Sequence, residues 1–168
     1  GTLNLYSGQS TQQTTTFGAV SYHQLGRINQ NGTINLYGDN VVGAKAFAGG
    51  RITLGANSRV VFHDAHQIGY QAFDPGSRLI VNGSPVDVSS RNSTLYEIRN
   101  GAWLYNQGFG NVTLSGRDST GLVVSGTDAL VSSTDVYQVT GKGATVLRAS
   151  DRAQGIITSL IALNGKNT

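Results

Sequence analysis

Thr134-Asp135-Val136-Tyr137-Gln138-Val139-Thr140-Gly141-Lys142 falls over Thr158-Ser159-Leu160-Ile161-Ala162-Leu163-Asn164-Gly165-Lys166 when the chain is shifted by 24 residues. The same shift lays Leu122-Val123-Val124-Ser125 over Val146-Leu147-Arg148-Ala149, and Asp128-Ala129 over Arg152-Ala153. One step earlier, Val112-Thr113-Leu114-Ser115-Gly116 matches the segment that ends at Gly141. Each period holds three short apolar runs closed by Gly, Asn, Asp, Ser or Thr, which is the pattern a stacked solenoid of strands requires.

Working outward, a second echo lies near the start: Gly1-Thr2-Leu3-Asn4-Leu5-Tyr6 returns as Gly32-Thr33-Ile34-Asn35-Leu36-Tyr37, 31 residues on. The longer spacing is accounted for by 7–16, a stretch from Ser7 to Thr16 with no apolar residue, predicted to leave the coil as a polar loop excursion. Apolar residues alternate or come in runs of three or four between Gly and Asn, not at helical spacing, so the chain reads as all-β. Strands are predicted over 2–6, 19–22, 33–37, 51–54, 59–62, 78–82, 94–98, 102–105, 112–114, 122–125, 129–132, 136–139, 146–149, 156–158 and 160–163.

Asn31-Gly32 and Asn82-Gly83 would also suit hairpins of an antiparallel sandwich. A sandwich has no reason to repeat its strands in triplets, so the parallel β-helix is preferred, with about 24 residues per coil, six or seven coils, and residues 1–168 as one unit. Leu122, Val124, Val136, Val146, Leu160 and Ile161 are the expected interior stack. A neighbour or cap is expected at each end, because an uncapped coil exposes strand edges.

Charged residues make up 12% of the chain, whereas Ser and Thr together number 32 and Gly 23, so the surface is polar and largely uncharged. The net charge of +3 comes from nine Arg and three Lys that stand singly along the sequence, a distribution that does not point to nucleic acid. The absence of Cys excludes disulfides and thiolate chemistry. No apolar run reaches the ~18 residues a membrane-spanning helix needs. The opening Gly1-Thr2, without Met or a leader, reads as a mature or excised fragment.

The stretches Gly-Leu-Val-Val-Ser-Gly-Thr-Asp-Ala-Leu-Val at 121–131 and Thr-Asp-Val-Tyr-Gln-Val-Thr-Gly-Lys-Gly-Ala at 134–144 resemble the Gly-rich coil repeats of bacterial autotransporter passenger domains of the pertactin and AIDA type. Asn31-Gly-Thr-Ile-Asn-Leu and Ala48-Gly-Gly-Arg-Ile-Thr-Leu are similar more loosely, and the likeness is strongest over 94–166. The resemblance implies a right-handed parallel β-helix of a type V secretion system, exported through the periplasm and displayed on the bacterial outer-membrane surface. The role it implies is that of an adhesin or virulence factor in adhesion, autoaggregation or host interaction. Its partners would be a host-cell surface protein or glycan, other passengers, and the remaining passenger with its C-terminal translocator barrel. A folding-assistance (autochaperone) segment is a further role of such passengers.

His63-Asp64-Ala65-His66 concentrates ligand-type side chains, but residues three apart on a strand point to opposite faces. His23 stands alone. Parallel β-helices also host glycoside lyases and hydrolases, which need two close carboxylates; the nine acidic residues contain no adjacent pair, and Asp128 and Asp135 stack over Arg152 and Ser159. A carbohydrate-active enzyme is therefore the rival reading, and no catalytic residue, cofactor or metal is expected. Arg148 and Arg152 are expected to pair at the surface with Asp128 and Asp151. Trp103, Tyr105 and Phe109 form the densest aromatic cluster, read either as stacked filler or as a contact surface for a glycan or protein; Tyr70, Phe73 and Tyr96 invite the same choice.

Overall fold

The computed structural model describes residues 1–6, 16–83 and 85–164. Of the polar stretch read as an excursion, 7–15 lie outside the described residues, and Thr16 already opens a strand. The described residues contain nineteen strands and no helix. Every pairing between strands is parallel. The chain is a β-solenoid of about six turns with roughly 26 residues per turn.

Three faces build each winding. The first face is a six-stranded sheet of β2 (Thr16–Tyr22), β5 (Val41–Phe47), β8 (Ile68–Phe73), β11 (Thr94–Arg99), β14 (Thr120–Ser125) and β17 (Thr145–Ser150). The second is a six-stranded sheet of β3 (Arg27–Gln30), β6 (Arg51–Leu54), β9 (Arg78–Val81), β12 (Trp103–Asn106), β15 (Leu130–Ser133) and β18 (Gln154–Ile157). The third is divided between β1 (Thr2–Tyr6), β4 (Thr33–Tyr37) and β7 (Arg59–Phe62) on one side and β10 (Val86–Asp87), β13 (Asn111–Leu114), β16 (Val136–Val139) and β19 (Ile161–Leu163) on the other. The division falls beside Pro85, whose ring nitrogen has no hydrogen to donate to a ladder.

Asn31-Gly32 is not a hairpin turn: it joins β3 to β4, which belong to different sheets. The 31-residue echo is realised as neighbouring strands, Thr2 to Tyr6 pairing residue for residue with Thr33 to Tyr37. The 24-residue shift holds on the second and third faces, where Leu130 pairs with Gln154 and Tyr137 with Ile161. On the first face the shift is 25, so Leu122 pairs with Leu147 and not with Val146.

The interior follows from alternation on the second and third faces, where Ile34 and Leu36, Ile52 and Leu54, and Val60 and Phe62 all point inward and are buried. First-face strands break that alternation. Position 18 and its successors 43, 69, 95, 121 and 146 drop out of the pairing ladder, and four of the six are glycine. A Cβ on Gly43 would stand 2.6 Å from the Gly69 carbonyl oxygen, so the strand can bend there only without a side chain. A second corner repeats ahead of β5, β8, β11, β14 and β17: Asn40, His66, Asn92 and Asp118 all take positive φ of 52° to 58°, and Gly143 succeeds them at 70°. Asn and Asp tolerate that left-handed geometry best among side-chain-bearing residues.

Of the six residues expected inside, Leu122 and Val124 are fully buried. Val136 and Val146 are half-buried, and Leu160 and Ile161 are exposed. β16 turns Tyr137 and Val139 inward instead, and the buried Tyr137 hydroxyl is satisfied by Ser133 Oγ at 2.8 Å. Both described ends leave inward columns open: Leu163 is 65% exposed although its ladder neighbour Val139 is 1% exposed.

Candidate functional site

The outer surface of the second face carries two side-chain columns, fixed by register. One reads Arg27, Arg51, Arg78, Trp103, Leu130, Gln154; the other reads Asn29, Thr53, Ile80, Tyr105, Ser132, Ile156. Of the three aromatics predicted to act together, the fold joins two. Trp103 and Tyr105, both on β12, line a shallow groove of about 320 Å³ with Leu130, Asp128 and Ser132. Tyr105 is 48% exposed and Leu130 37%, a local concentration of accessible apolar surface on a polar molecule. Phe109 is 81% exposed, but it sits in the connection from β12 to β13 and is not a wall of this groove.

Tyr70 and Tyr96 are filler. Their rings stack inside the solenoid at 5.8 Å, Tyr70 donates its hydroxyl hydrogen to Gln30 Oε1 at 3.2 Å, and burial drives both phenols upward from the ordinary tyrosine range. Phe73 lies on the outer side of the first face, with Lys45 Nζ 4.6 Å and the Arg99 guanidinium carbon 5.5 Å from its ring centre.

The His63–His66 segment is spent on the turn. The His63 ring stacks on Tyr37 at 4.1 Å, which stacks on Tyr6 at 4.6 Å; Asp64 Oδ2 accepts the Gly38 N–H at 2.6 Å; and His66 occupies the left-handed corner. Among the described residues no group of three or more metal-ligating side chains assembles. Two carboxylates are buried. Glu97 is clasped by Gln71 Nε2 and the Arg99 guanidinium, and Asp135 Oδ1 accepts the Gly110 N–H at 2.9 Å. Burial pushes the Asp135 carboxyl above its usual range, with the Gly110 bond pulling the other way.

The expected surface pairs are absent: among the described residues no ion pair joins Arg148 or Arg152 to Asp128 or Asp151. Asp151 accepts from Ser150 Oγ at 2.9 Å instead. The arginines that stand singly in sequence are not scattered in space, because Arg27, Arg51 and Arg78 are consecutive rungs of one ladder. The available signal was Arg followed directly by Ile or Leu at 27, 51 and 78, hidden by unequal spacings of 24 and 27 residues. No protein family, curated protein or solved structure matches the chain.

Proposed function

We propose that this β-solenoid is a segment of an autotransporter passenger, displayed on the outer-membrane surface, that works by binding: adhesion, autoaggregation or contact with a host-surface protein or glycan. The observation that carries the reading is the groove of Trp103, Tyr105 and Leu130, an accessible aromatic and aliphatic patch on the flat outer side of a rigid sheet. Rigid aromatics lose little conformational entropy on binding and concentrate contact energy. The long polar, weakly charged flanks around it suit many individually weak contacts that add along a repeat. The buried carboxylates support the same reading, since Glu97 and Asp135 are both engaged by protein donors.

The test is display of the chain on a non-adherent bacterium, with clumping and host-cell attachment scored against an empty display control. Wild type is expected to exceed the control, and Trp103→Ala with Tyr105→Ala to lose most of that excess at equal surface level. Wild-type activity no greater than the empty control rejects the reading.

A further inference from the structure

We propose that the file of Arg27, Arg51 and Arg78 is a binding site for an anionic polysaccharide, which lies along the solenoid axis, gives one carboxylate or sulfate group to each winding, and sets its next ring on Trp103. The inference deepens the binding role proposed above and rests on it. Rungs of parallel strands are ~4.7–4.9 Å apart, so three arginines stand on adjacent rungs of one outward column. Like charges directly opposite one another destabilise a sheet. Even so, among the described residues none of the three forms an ion pair with a carboxylate. A file of cations in ladder register with no carboxylate beside it is complementary to a partner of opposite charge and matching repeat.

The side chains are already held. Arg27 Nη1 donates to the Gln24 and Gly26 carbonyl oxygens, Arg51 Nε to Thr53 Oγ1 at 3.3 Å, and Arg78 Nε to the Gly76 carbonyl oxygen at 3.3 Å. These contacts use one or two of the five N–H donors on each guanidinium and leave the rest for oxyanions. Fixing the forks in advance lowers the ordering cost of binding. The arginines line a groove of about 370 Å³ with Gln24, Gly49 and Gly76. Its turn side is open because positions 49 and 76 carry no side chain, each at positive φ.

Two features select a polysaccharide over other polyanions. The length of one pyranose unit is close to the ~4.7–4.9 Å rung spacing, so an acidic sugar polymer can present a charge at each arginine, whereas the phosphates of an extended nucleic-acid strand lie farther apart. The parallel outward column beside the arginines begins Asn29, Thr53, uncharged groups suited to sugar hydroxyls, and the file ends with the Arg78 guanidinium 4.7 Å over the Trp103 ring. Arg78 covers one face of the indole, and the groove that Trp103 shares with Leu130 is where the apolar face of a sugar would rest.

The experiment measures retention of the 168-residue chain on immobilised heparin, polygalacturonate and neutral dextran, with single-stranded DNA as competitor. Wild type is expected to bind heparin or polygalacturonate above dextran and to release as salt rises; retention on polygalacturonate shows that carboxylates suffice, and retention on heparin alone shows that sulfate is required. Arg51→Gln is expected to weaken binding about tenfold, and the triple Arg27→Gln, Arg51→Gln, Arg78→Gln to fall to the dextran level while melting no lower than wild type. Arg148→Gln with Arg152→Gln, a control for net charge, is expected to bind as wild type; if the triple fails to fold, Arg51→Gln and this control decide.

The proposal falls if wild type binds neither polyanion above dextran, if Arg51→Gln binds unchanged, if the control loses as much as the arginine-file variants, or if DNA displaces the chain more effectively than either polysaccharide. Displayed wild type that adheres, with the triple variant adhering equally, leaves the binding role standing and removes this site. Arginine-dependent heparin binding by a chain that never adheres on cells does the reverse.

Discussion

On the second face, the first three windings and the last three share the character of their interior and differ outside. The inward column runs Ile28, Ile52, Leu79 in one half and Leu104, Val131, Gly155 in the other, and Leu147 of the first face fills the space beside that last glycine. One residue away, the outward column changes from three arginines to Trp103, Leu130 and Gln154. Register ties both columns to the same backbone, so the outward change is free of the packing that constrains the inward one. The lesson is that in a solenoid the inner columns report the fold and the outer columns report the role.

The largest effects are expected where the halves agree. Leu79 and Leu104 are 0% and 1% exposed at adjacent inward rungs, and Leu79→Ala and Leu104→Ala should each lose about 2–5 kcal/mol in urea unfolding. The two losses should be similar, because each side chain is sandwiched between neighbouring windings on either side. A loss confined to one of them would show that the halves unfold separately and would break the comparison.

A smaller effect separates the halves by pH. Asp135, in the second half, is an acid whose native carboxyl is raised by burial, so the folded chain holds its proton more tightly than the unfolded chain does. Between the ordinary carboxylate value near ~3.9 and the raised native value, the unfolded state binds fewer protons and stability falls as pH rises. Asp135→Asn keeps an oxygen for the Gly110 N–H and removes this titration. Its melting temperature relative to wild type should therefore be higher at pH 7 than at pH 4. A difference that does not change with pH would mean that the carboxyl is charged at no cost in the fold.

The winding was legible where its spacing is even and its alternation clean. Thr134 to Lys142 against Thr158 to Lys166 revealed a period because β16 and β19 stand 24 residues apart. Two physical features hid the rest. Four residues connect first to second face at 23–26, 74–77 and 126–129, but three do so at 48–50, 100–102 and 151–153, so second-face spacings swing between 24 and 27. That alternation dispersed the arginine file into isolated residues. On the first face the glycine bend interrupts the alternation, so that Val41 and Ala44, three residues apart, both enter the core, which is why β5 and β8 lacked the alternation of a half-buried strand and went unpredicted. The groove aromatics were found from density in sequence, since Trp103 and Tyr105 sit two apart on one strand; Phe109, counted with them, lay past the strand's end.

The smallest expected effect tests the outer column alone. Arg51 is the middle rung, with Arg27 and Arg78 on either side and no described carboxylate paired to any of them. Replacing it by Gln keeps a chain that can reach Thr53 and removes the charge that stands between two like-charged rungs, so stability should rise by about 0.2–1 kcal/mol. The gain should shrink as added salt brings the screening length down from ~10 Å at 0.1 M toward ~3 Å at 1 M. In the other half the equivalent change works against the fold: Trp103 is half-buried against its neighbours, and Trp103→Ala gives up that contact. A gain on removing Arg51 is the thermodynamic mark of a side chain kept for binding at a cost to stability, whereas Trp103 also serves the fold. A loss of stability in Arg51→Gln at low salt would mean that the arginines hold the solenoid together and are not held apart by it.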